Sequence, residues 1–332
     1  EFLTEARATL QRRSSAMSIS KGKKIKMLKK KFSYIRSNFI CLLFALAFLP
    51  FFGCSSAPKR PMLVNDTYTL AYSRLENANN ELLAGKLSSA KRSLSESYSL
   101  AVSVDSTALL TKICLSGVSY KILENQLGDN SGSEKSPSMQ TEKKSFLDGD
   151  LDSILGEAKS FARRSGEKDA LLDLCALYEV RVRLAKVRLS NEKNLSESEN
   201  KNLLEILSKI EKSVSKEPYY GGFLSRTRGD VHISLSDFKS AEKSYLEAAQ
   251  IHTKNRYLYE IALDWYGAAR ACSLGGDKNA AVSAIENALK YDRDAENSLA
   301  LSLDYLAYSK ILLKGEPTES EIKKAKELEN IS

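Results

Sequence analysis

One spacing of small and large residues recurs along this chain, and it limits the possible folds more than any other feature. Gly229-x2-His232-x8-Ala241-x3-Tyr245-x2-Ala248 is echoed by Trp265-x2-Ala268-Ala269-x2-Cys272-x8-Ala281-x3-Ile285-x2-Ala288. A fainter copy reads Ala78-x2-Glu81-x8-Ala90-x3-Leu94-x2-Ser97. Each copy is broken by a turn, at Ala84-Gly85-Lys86, Ser236-Asp237-Phe238 and Gly275-Gly276-Asp277. Small residues at helical intervals let two antiparallel helices approach closely, while Tyr245, Trp265 and Ile285 fill the space toward the next pair. Glycine and aspartate at the turns end one helix and start the next. No alternating strand pattern competes with this reading.

These copies resemble the tetratricopeptide repeat, a helix–turn–helix unit of about 34 residues. The resemblance covers residues 222–292, and residues 69–104 more faintly. Helical segments of the same kind surround it. Residues 109–123 pair with 151–164 around a polar insert at 128–148, which is expected to be disordered. Residues 169–189 pair with 203–214, and 298–313 with 318–329. Thr318 and Glu321, after Pro317, form a capping-box start for the last helix. Residues 67–331 are thus expected to form an all-α fold, an α-solenoid of about six helix–turn–helix pairs.

The start of the chain follows other rules. Residues 1–26 precede Met27 and read as an upstream extension or a fragment end. Residues 27–53 combine a Lys-rich stretch, an apolar run from Phe39 to Phe52 and a small residue at the boundary, the pattern of a secretory signal. A 14-residue helix rises about 21 Å, short of the ~30 Å hydrocarbon core, and Pro50 interrupts it, which disfavours a permanent transmembrane helix. Gly53-Cys54-Ser55-Ser56 resembles the bacterial lipobox. That resemblance implies acylation of Cys54, a flexible tether over residues 54–66, and a lipid anchor in the bacterial cell envelope. Ser55 after the cysteine implies the outer membrane, facing the periplasm. Charge agrees with this division: residues 1–60 carry 13 basic and 2 acidic side chains, leaving 37 basic against 40 acidic for the rest. A nearly neutral bulk disfavours nucleic acid as a partner.

Catalytic patterns are absent from the sequence. It has no GxSxG, no phosphate-binding glycine loop and no HExxH, so it reads as a non-catalytic protein without cofactor or metal. Its two histidines, His232 and His252, are far apart, and His232 falls at a helix-packing position. Cys114, Cys175 and Cys272 sit in apolar helical stretches and read as small buried hydrophobes. Function then falls to the concave groove that the first helix of each pair lines in a tetratricopeptide array. By that offset Phe223, Arg226 and Asp230 lie on the first wall, Tyr266, Arg270 and Ser273 on the second, and Asp304 with Tyr308 on the third. The same charged residues equally suit ion pairs between neighbouring helices. The implied function is a lipid-anchored scaffold that binds a protein or peptide partner. The alternative is a ligand-handling component of an envelope transport system, which clustered aromatics around one cavity would favour over a long open groove.

Overall fold

The computed structural model describes residues 66–127, 145–189 and 195–332. Cys54, its tether and signal, and most of the polar insert lie outside these residues. Within them are twelve α-helices and no strand. In chain order they are α1 (Asp66–Leu83), α2 (Leu87–Ser103), α3 (Thr107–Leu127), α4 (Leu151–Arg164), α5 (Lys168–Leu189), α6 (Glu197–Val214), α7 (Pro218–Ser234), α8 (Phe238–Asn255), α9 (Leu258–Gly275), α10 (Lys278–Asp294), α11 (Ser298–Leu312) and α12 (Glu319–Ile331). Each odd-numbered helix packs against the even one that follows it, giving the six pairs of an all-α solenoid.

The small residues do what their spacing requires. Ala241, Ala248, Ala269, Ala281 and Ala288 are buried, with Tyr245 and Ile285 between them. One turn recurs between helices. Gly85, Asp105, Ser236, Arg256, Gly276 and Glu296 each take a positive φ. The next residue's N–H bonds back to the carbonyl five positions earlier, as in Lys86 to Glu81, Asp237 to His232 and Asn297 to Asp292. This is the Schellman closure of a helix end. Asp237, Asp277 and Asn297 follow it immediately and cap the next helix by accepting from Ser240, Ala280 and Ala300 N–H. Thr318 and Glu321 form the reciprocal capping box expected of them.

Three expectations need adjustment. The repeat is longer than the 34-residue unit it resembles: α7, α9 and α11 begin at 218, 258 and 298, a period of 40 residues set by helices of 15–18 residues and turns of two or three residues. The insert ends sooner than residue 148, because Ser145 caps a 3₁₀ turn over Phe146–Asp148 that buries Leu147 in the core. Phe146 stacks on Tyr98, with ring centroids 4.5 Å apart. The segment before α6 also turns helical early, because Ser196 and Glu199 form a capping box seven residues ahead of Leu203.

The solenoid closes on itself. Asn297, at the α10–α11 turn, donates its side-chain N–H to the carbonyl of Leu83 at the end of α1, at 3.2 Å. Leu299 packs so tightly on Gly85 that a Cβ there would collide with it. The last pairs thereby meet the first.

Candidate functional site: a closed chamber

Closure converts the concave groove into a chamber of about 440 Å³, within the range of small-ligand sites. Its wall comes almost wholly from the odd helices α1, α3, α5, α7, α9 and α11. That follows from the pairing, in which each first helix faces inward and each second helix covers it outside. Tyr178, Tyr219, Phe223, Tyr245 and Tyr266 give the wall an aromatic girdle. All charged lining groups stand on α5, α7 and α9, whereas α1, α3 and α11 contribute leucines and neutral polar groups.

Five of the eight groove residues expected from sequence meet in this chamber: Phe223, Arg226, Asp230, Tyr266 and Arg270; Ser273 does not line it. Arg226 is the anchor of a buried network between α7, α8 and α9. Its Nε donates to Asp264 at 2.6 Å, its Nη2 to the carbonyl of Glu260 at 2.8 Å, and its Nη1 pairs with the Glu260 carboxylate. Asp264 is fully buried and also meets His252 Nδ1 at 2.6 Å, while His252 Nε2 lies 3.3 Å from the Tyr219 carbonyl. Burial alone would raise the Glu260 carboxyl, but Arg226 and His252 hold it below the usual carboxylate range. The same carboxylates outweigh burial at Arg226 and raise its guanidinium further.

Asp230 is likewise engaged, accepting from Arg188 at 3.0 Å and from the Tyr245 hydroxyl at 2.8 Å. Ion pairing therefore accounts for Arg226 and Asp230. Arg270 differs, since it faces the chamber with no ion pair or hydrogen bond among the described residues. Arg181 was missed from sequence. It lies 4.2 Å over the Phe223 ring, 5.5 Å over Tyr178, and donates to Ser119 Oγ at 3.0 Å. Burial pushes its guanidinium downward.

Asp304 and Tyr308 do not stand on the third wall. Leu299, Ala300 and Leu303 hold those places on α11. The register there was mis-set because α11 carries no small–large signature to anchor it. Tyr308 is buried on the far side of its helix, donating to Glu286 Oε1 at 2.5 Å and accepting from Lys324 at 2.6 Å. Asp304 is buried against Asp292 of α10, beneath the turn that closes the chamber. Burial is the main reason both carboxyls titrate high, and at Asp304 the Asp292 charge adds to it. The pair ionises at about 6 and about 8.

This pair links stability to pH. Both folded values lie above the ordinary 3.8 of an aspartate, so the folded state holds protons that the unfolded chain releases. Stability is fully present below about pH 4 and falls as pH rises toward 8. Asp304→Asn is expected to flatten that fall and raise stability at pH 8 by on the order of 3 kcal/mol, measured by urea unfolding at pH 5 and pH 8. A variant whose pH dependence matches that of the parent contradicts the pairing.

The remaining expected residues are placed as follows. Cys114, Cys175 and Cys272 are free thiols in the core. His252, rather than His232, is the fully buried histidine. No group of three His, Cys, Asp or Glu among the described residues is arranged to hold a metal ion. No helix of the described residues is long and apolar enough to cross a membrane. No protein-family model matches the chain, and no curated protein matches it either. What the structure defines is therefore an architectural class, a closed α-solenoid with a central chamber.

Proposed function

We propose that this chain is a non-catalytic, lipid-anchored helical-repeat protein of tetratricopeptide type, which holds a small ligand in its central chamber at a bacterial envelope membrane. Ligand handling for an envelope transport system is the role that suits it. One observation carries the choice over a protein or peptide partner. The α1 and α10–α11 ends meet, so the aromatic wall surrounds a central cavity that is still open to solvent on one side, instead of a long groove. Enclosure favours a compact ligand, because burying most of its surface is what gives a small molecule affinity. Anchoring rests on the lipobox-like Gly53-Cys54, and the envelope location rests on that anchor.

The test is to purify the full chain from its own host, denature it and analyse the released small molecules by mass spectrometry. The comparison is a Leu263→Trp/Leu303→Trp variant. Both leucines line the chamber and are nearly half exposed, 41% and 49%, so tryptophan can fill the space without dismantling the core. The parent is expected to release a compound that the double variant lacks. If instead a protein co-elutes with the parent and is lost from the variant, the partner-binding reading replaces this one. If neither is captured, the chamber is not the functional site.

A further inference from the structure

The chamber's charge and its leucines point to one chemical class of ligand, an inference that rests on the ligand-holding reading above. Its arginines are Arg181, Arg188, Arg226 and Arg270. Three carboxylates answer them: Asp230 takes Arg188, while Glu260 and Asp264 take Arg226. Arg181 and Arg270 have no carboxylate partner. Arg181 pairs directly with no carboxylate: it touches a hydroxyl and two aromatic faces, and feels Asp230 only from beyond ion-pair distance. The carboxylates are thus already engaged with Arg188, Arg226 and His252, which leaves Arg181 and Arg270 for an anionic head.

The chamber also carries an apolar surface. Leu127, Leu263, Leu299 and Leu303 line it, and each keeps between 38% and 49% of its surface exposed. Leucines left this open around one cavity, with no charged residue from α1, α3 or α11 among them, form a surface suited to covering by an aliphatic body.

We infer that the chamber binds an aliphatic monoanion, with its carboxylate held by Arg181 and Arg270 and its chain laid along the leucines of α3, α9 and α11. Arginine suits the head because its planar fork matches a carboxylate with two parallel N–H donors. The leucines gain by removal of their exposed faces from water.

The experiment is calorimetric titration of the full chain with decanoate and, separately, decanol. Decanoate is expected to bind one site at least tenfold more tightly than decanol. Arg270→Gln, on an exposed side chain with no structural partner, should weaken decanoate at least tenfold and leave decanol unchanged. Arg181→Gln should do the same, with Arg181→Lys recovering part of the loss. Leu263→Trp/Leu303→Trp should abolish both ligands. Equal binding of decanoate and decanol, both lost in the tryptophan variant, overturns the anionic head while leaving the chamber as a ligand site. Decanoate binding that survives the tryptophan variant places it elsewhere and overturns the inference. So does an absence of binding by either compound.

Discussion

Asp264→Ala is expected to cost about 3–5 kcal/mol of stability, the range for removing one partner of a buried ion pair. Asp264 is fully buried and uses its two oxygens on two different helices, Oδ1 on Arg226 of α7 and Oδ2 on His252 of α8. Without it Arg226 keeps the Glu260 carboxylate, but His252 loses the acceptor that fixes its ring. The penalty comes from the groups left behind rather than from the lost bonds themselves. Asp264→Asn, which keeps an acceptor without the charge, should fall between alanine and the parent. The pair Lys201–Glu197, both about 70% exposed, provides the contrast: its removal should cost under about 1 kcal/mol. Urea unfolding reads both. A loss below 1 kcal/mol at Asp264 shows that the network is not what joins α7, α8 and α9.

A second large effect is expected at Gly267. The Tyr245 ring of α8 is wedged between glycines of the two flanking inner helices, Gly229 on α7 and Gly267 on α9. A Cβ at 267 would lie 2.5 Å from the ring's Cδ1, and one at 229 would lie 2.9 Å from its Cε1. The ring cannot swing aside, because Tyr245 is buried and its hydroxyl holds Asp230 at 2.8 Å. Gly267→Leu should therefore overpack the site by about 3 kcal/mol, at the upper end of such effects. The gain in helix propensity, about 1 kcal/mol for losing a glycine, does not offset it. Adding Tyr245→Ala to Gly267→Leu should restore part of the loss, since the clash then disappears; a double-mutant cycle measures that coupling. Additive losses would mean that the two residues do not share one space.

The tyrosine wedge also shows what was legible in the sequence. Gly229, Ala241, Tyr245 and Ala248 announce a helix pair, because close packing admits only small residues opposite a large one. Their recurrence at Ala269, Ala281, Ile285 and Ala288 announces a stack. The turns were readable as well, since Gly85 and Gly276 stand where φ is positive and Asp237 and Asp277 stand where a helix needs a cap. Closure was not readable. It depends on the accumulated rotation of six pairs, and it is held by Asn297 and Leu299 acting on residues more than 200 positions away. No local pattern records that rotation.

The same gap explains the site. Arg226, Asp230, Tyr266 and Arg270 were found because their helices carry the packing signature that sets which face looks inward. Asp304 and Tyr308 were misplaced because α11 has no such signature, and its inward stripe is marked instead by exposed leucines. Arg181 and Glu260 carry no sequence signal of their own. Each matters only through what the fold brings to it, Phe223 and Tyr178 for the arginine and Arg226 for the glutamate.

The central chamber depends on the first and last pairs meeting, and one measurement tests that directly. Nitroxide labels on cysteines placed at Lys86 and Glu296, both exposed on the turns that flank the contact, report the gap by pulsed electron resonance. Cys41 and Cys54 are changed to serine for the purpose. The three core thiols stay unlabelled, since burial pushes Cys175 up to about 11, Cys272 up to about 12 and Cys114 further still. A closed solenoid gives one narrow distribution at short distance, and Asn297→Ala broadens it. A broad, long-distance distribution in the parent, unchanged by Asn297→Ala, contradicts the chamber.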